Sequence, residues 1–134
     1  MKKITLIVSF LLLCVIAQSQ NLIGFNGKEI REYMKANFKE MNYNKVVNYK
    51  YHYLKYSDNS ENQTILFFLG RDSVCKEVRV TCDTGLKQQK LKELDSRYKK
   101  SSENSWFEKR NGKNYNIYMK EGKWSLVISI EAEK

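Results

Sequence analysis

The stretch from Gln63 to Asp83 constrains the fold more than any other part of the chain. Thr64 to Leu69 is an unbroken run of β-branched, aromatic and aliphatic residues. Gly70-Arg71-Asp72-Ser73 is a cluster of turn formers, and beyond it Val78, Val80 and Cys82 alternate with Glu77, Arg79 and Thr81. Two strand signals around a turn make an antiparallel hairpin. The first strand is apolar on both faces, which places it inside a sheet. The rest of the chain must therefore supply flanking strands and an apolar layer to cover them.

It supplies both. Asn26-Gly27-Lys28-Glu29 fits a capping box, and Ile30, Tyr33, Met34, Phe38 and Met41 then recur at three-to-four spacing, which predicts a helix from Gly27 to Glu40. Asn42 to Asn44 break it. From Val46 to Tyr56 the composition predicts a long strand. Its one face carries Val47, Tyr49, Tyr51 and Tyr53, the other Val46, Asn48, Lys50, His52, Leu54 and Tyr56. Asp83 or Thr84 caps a second helix, with Leu86, Leu91, Leu94 and Tyr98 as its buried stripe. Lys99 to Asn104 reads as a polar, flexible loop. Trp106 to Arg110 and Lys113 to Lys120 form a hairpin through Asn111-Gly112, the strongest short hairpin signal. In the final strand Trp124, Leu126, Ile128 and Ile130 point inward, so Trp124, like Phe67, is expected in the core. The predicted fold class is α+β: helix, three strands, helix, three strands, with an antiparallel sheet of about six strands and two helices on one face.

Residues 1–19 read as a signal peptide. Lys2-Lys3 is a basic start, Ile4 to Ala17 an apolar run too short to span a bilayer, and Ala17-Gln18-Ser19 carries small residues where signal peptidase cuts. Cys14 follows Leu13 rather than the small residue that lipidation requires, so the expected product is a soluble domain, residues 20–134, that is periplasmic or secreted. That length suffices for one domain with its own core.

Of the 24 basic residues, removing Lys2 and Lys3 leaves 22 against 15 acidic, or +7. Lys87 to Lys100 contributes +4 and Glu108 to Lys123 contributes +3, so the excess is confined to the second helix and the last hairpin. Such an excess either keeps a helix and hairpin surface solvated or attracts an anionic partner. Cys75 and Cys82 survive processing. Seven residues of strand span roughly 23 Å, whereas bridged Cα atoms sit about 5.5 Å apart. Two buried thiols are therefore expected, with a bulge near Lys76 able to turn Cys75 inward.

Leu22-Ile23-Gly24, Tyr33-Met34, Tyr53-Leu54-Lys55-Tyr56, Phe67-Phe68-Leu69 with Val74-Cys75, and the strands of Trp106 and Trp124 resemble a set of small exported proteins of Bacteroidetes-type bacteria. No activity is attached to that set, so the resemblance implies export and no functional residue. The helix–three-strand order is also similar to type III secretion chaperones and β-lactamase-inhibitor-type modules, a likeness of fold alone.

Catalytic chemistry has little to work with. His52 is the one imidazole, and a nucleophilic Cys75 or Cys82 would need it within hydrogen-bond reach. One histidine and two cysteines seven apart do not make a zinc site, and the six glycines lie singly rather than in a phosphate loop. No metal, cofactor or catalytic residue is assigned. The binding candidates are Tyr49, Tyr51 and Tyr53, which either pack under the helices or line an open sheet face, and the cations Lys92, Lys99, Lys109, Arg110 and Lys113. The expected function is an exported, non-enzymatic binding or interaction module for an anionic polymer, a sugar or a protein. The partners weighed are an anionic polysaccharide or lipopolysaccharide and an acidic protein, not chromosomal nucleic acid. The alternatives are a small secreted hydrolase and a dimerising structural protein.

Overall fold

Alternation of apolar and polar side chains gives each strand one face to bury, and one layer of two helices covers that face. The computed structural model describes residues 21–45 and 52–134. Among these, helix α1 is Gly27–Asn37 and is followed by β1 Met41–Asn44, β2 Tyr53–Asp58, β3 Gln63–Leu69 and β4 Cys75–Asp83. A 3-10 turn, Thr84–Leu86, leads into helix α2 Lys87–Arg97, and β5 Lys99–Ser102, β6 Ser105–Arg110, β7 Lys113–Glu121 and β8 Ser125–Ala132 follow. All eight strands belong to one antiparallel sheet in the order β1-β2-β3-β4-β8-β7-β6-β5. The unit of one helix and four meandering strands thus occurs twice, and β4 and β8 join the two meanders. The expected signal peptide, the start of the expected Val46 strand, and Tyr49 and Tyr51 lie outside the described residues.

Register turns the alternation into a continuous core. Leu54, Phe67, Val78, Ile130, Ile117 and Trp106 stand opposite one another across six strands. The adjacent inward row is Tyr56, Ile65, Val80, Ile128 and Met119. Every member of both rows is buried. Ile30 and Met34 of α1, and Leu94 of α2 with Tyr98 just after it, complete the cluster. A fully buried side chain of this kind contributes about 1.5–3 kcal/mol relative to an exposed one. Asn26 Oδ1 accepts from Glu29 N at 2.9 Å while Glu29 Oε1 accepts from Asn26 N at 3.3 Å, so the predicted capping box starts α1. The predicted Asn111-Gly112 turn is present, with φ of 52° and 75°, both in the left-handed region that a tight hairpin turn demands. No helix among the described residues is long and apolar enough to cross a membrane.

Three expectations need correction. Among the described residues the sheet has eight strands rather than about six. The additions are β1 and β5, both at sheet edges, with sequences Met-Asn-Tyr-Asn and Lys-Lys-Ser-Ser. Short polar edge strands are held by backbone pairing to a single neighbour and leave no apolar period to read. Helix α1 ends at Asn37 instead of Glu40, because Phe38 leaves helical geometry and its N–H closes the last turn on Met34 O. Trp124 is 78 % exposed rather than buried. It precedes β8 in a turn closed by Gly122 N donating to Ser125 O at 2.8 Å, so the strand alternation does not extend to it. Cys75 and Cys82 are free and buried. Phe68 pairs with Glu77 and Leu69 with Cys75, which leaves Lys76 as the extra residue of a bulge and turns Cys75 into the core.

Candidate functional site

The outer end of α1 lies against the β1–β2 edge and leaves a cleft between them. Arg31, Met34 and Lys35 share one helix face, being three and four residues apart. With Lys39 from the loop after α1, Met41 and Tyr43 from β1 and Tyr56 from β2, they enclose about 540 Å³. Met34, Met41 and Tyr56 are buried and form an apolar floor. Tyr43 stands opposite Tyr56 in the register, and their rings meet at 5.4 Å between centroids. Burial raises the Tyr56 phenol above its ordinary pKa of 10.0, and Tyr43 adds to that while the Arg31 charge opposes it. The guanidinium is therefore close enough for its field to be felt at the cleft floor. Arg31, Lys35 and Lys39 are exposed, and among the described residues none of them is in an ion pair. A greasy floor under three uncommitted cations can hold an anion that carries an apolar body.

The cations singled out in the sequence have other positions. Lys92 is exposed on α2, and Lys99 lies on edge strand β5 with its Nζ 5.6 Å from the Phe107 ring centroid. Lys109 and Lys113 are exposed at the β6–β7 tip. Arg110 is structural: Nη1 donates to Asn21 O at 2.6 Å, Nη2 donates to Ile23 O at 2.8 Å, and the guanidinium covers Tyr115 at 5.0 Å. Its charge is committed to holding the N-terminal segment. The cleft cations were missed because counting net charge by window hides a neutral window that segregates its charges. The readable signal was the four-residue spacing of Arg31, Lys35 and Lys39 beside Met34.

Tyr53 lies on the sheet face turned away from the helices, since Leu54 beside it is a core residue. It meets Phe68 at 6.0 Å, and Arg79 covers Phe68 at 4.9 Å while ion-paired to Glu77 at 2.8 Å. This row is self-satisfied and half-buried rather than an open aromatic platform.

The thiols are poor nucleophiles. Burial pushes Cys75 up to about 11, and burial likewise raises Cys82. A thiol held protonated at neutral pH lacks the reactive thiolate. His52 is exposed, and its carbonyl accepts from Leu69 N at 2.8 Å. Among the described residues, no group of three or more His, Cys, Asp or Glu side chains gathers closely enough to hold a metal ion. No family model matches the chain, and no curated protein or solved structure is significantly similar to it.

Proposed function

We propose that the chain is an exported, non-enzymatic binding module whose ligand is an amphipathic anion, seated in the cleft between α1 and the β1–β2 edge. One observation carries this reading: Arg31, Lys35 and Lys39 surround an apolar cleft of about 540 Å³ without partners of their own among the described residues. That volume lies within the ordinary range for small-molecule sites. The cations would select the charged head and the methionine–tyrosine floor the hydrocarbon body. Buried, protonated thiols favour binding over covalent chemistry.

Calorimetric titration with dodecanoate, and with dodecyl maltoside as its neutral counterpart, tests the reading, each below the concentration at which it forms micelles. Saturable one-to-one binding of dodecanoate is expected, weakening with salt. The triple variant R31A/K35A/K39A should bind at least about tenfold less tightly, a loss of about 1.4 kcal/mol, with an unchanged melting temperature because all three side chains are exposed. Absence of saturable dodecanoate binding, or equal affinity in the triple variant, sinks the proposal. Retention of a heparin fragment in place of dodecanoate would shift the ligand to an anionic polymer.

A further inference from the structure

The turn before β8 carries an indole that the fold does not use. Trp124 is 78 % exposed, whereas Trp106 is 1 % exposed, and no other aromatic among the described residues is so open. Lys123 Nζ lies 5.2 Å from the Trp124 ring centroid, so one face of the ring carries the cation and the opposite face is open.

What surrounds this ring follows from strand parity. Val80 and Cys82 face the helices, so Thr81 and Asp83 face the other way. Thr64 stands opposite Thr81 in the register, and Asn62 O accepts from Asp83 N at 3.1 Å. Two hydroxyls, an amide and a carboxylate are thereby brought to one end of the open sheet face. Together with Glu61 and Trp124 they bound a hollow of about 200 Å³, the space of about seven waters. Among the described residues the side chains of Glu61, Asn62, Thr64 and Thr81 and the Trp124 Nε1 make no hydrogen bond to protein. Asp83 Oδ1 accepts from Gly85 N at 2.8 Å, which leaves Oδ2.

We infer that this hollow binds a single ring of a neutral sugar. A pyranose is amphipathic: one face is a plane of C–H groups and its rim is hydroxyl. The face requires a flat aromatic surface, which the free side of Trp124 provides. The rim requires mixed donors and acceptors, which threonine hydroxyls, an amide and two carboxylates provide. The same carboxylates select against acidic sugars, because a uronate would meet Glu61 and Asp83 at close range. None of these residues belongs to the α1 cleft, so this site stands or falls separately from the proposed function.

The test uses the intact domain and three probes: cellotriose, maltotriose and trigalacturonate. Trp124 fluorescence should change saturably with at least one neutral trisaccharide and not with trigalacturonate. By calorimetry, Trp124→Ala should weaken that binding about tenfold while its melting temperature stays that of the parent. Thr81→Ala should weaken it less, and R31A/K35A/K39A not at all. The inference is overturned if neither neutral trisaccharide binds, if binding survives Trp124→Ala, or if trigalacturonate binds as well as the neutral sugars.

Discussion

The indole of Trp106 sits under α2, where its Nε1 donates to Asp95 Oδ1 at 2.8 Å and Lys100 Nζ lies 5.8 Å from its centroid. Truncating it removes core volume and one hydrogen bond to the exposed Asp95. Trp106→Ala should therefore cost about 3–5 kcal/mol in urea denaturation, and Trp124→Ala should stay within about 0.5 kcal/mol. A large loss for Trp124→Ala would mean that its ring is packed. The contrast marks a limit of period-two reading. Phe67 was correctly placed because it sits mid-strand with neighbours of matching parity on both sides. Trp124 shares the parity of Leu126 yet precedes the first paired residue of β8, so parity there no longer specifies a face. Lys90 shows the reverse failure: it is 5 % exposed, with its stem along the core and its Nζ 3.3 Å from Glu93 Oε2. Composition gives no warning that a lysine will lie flat on its helix in this way.

Among the elements, the N-terminal segment has the most dependents. Gly24 N donates to Cys75 O at 3.0 Å, Cys75 N donates to Phe25 O at 2.8 Å, and Gly27 N donates to Ser73 O at 3.2 Å, so this segment pairs with the start of β4. Arg110 ties its other side to β6 through two charge-assisted hydrogen bonds. Arg110→Ala should destabilise by about 2 kcal/mol, the range for hydrogen bonds to a charged group. It should also speed amide exchange at Gly24 and Cys75 more than at Val80. Uniform exchange across all three would show that the guanidinium is not a local tie. The capping box, the Gln63–Asp83 hairpin and the Asn111-Gly112 turn were legible because each is specified within a few neighbouring residues. Pairing of the lead-in, the role of Arg110 and the edge strands depend on partners far along the chain, and a local pattern carries no trace of them. The cleft falls between these cases. Its helical cations were readable, but its floor required Met41 and Tyr56 to be brought together by β1–β2 pairing.

For the molecule as a whole, the buried titratable groups set an alkaline limit. Burial raises Cys75 from 9.0 to about 11, and it raises Tyr56 above 10.0. The folded state thus keeps protons that the unfolded chain releases. Stability should be full below about pH 9 and fall as pH climbs toward 11, with Cys75 alone worth about 2 kcal/mol over that window. Urea midpoints at pH 7, 9 and 10.5 check this, and a flat series would show that the thiol is not sequestered. Cys75→Ala should shallow the decline. The position of β8 has a consequence in time rather than in space. It is the last of the eight described strands to be made, yet it lies at the middle of the sheet, between β4 and β7. Until it emerges, the two meanders have no seam, and the unpaired edges of β4 and β7 have nothing to join. Closure of the sheet thus waits for its eighth strand, and a nascent chain of this topology stays open until that strand has been made.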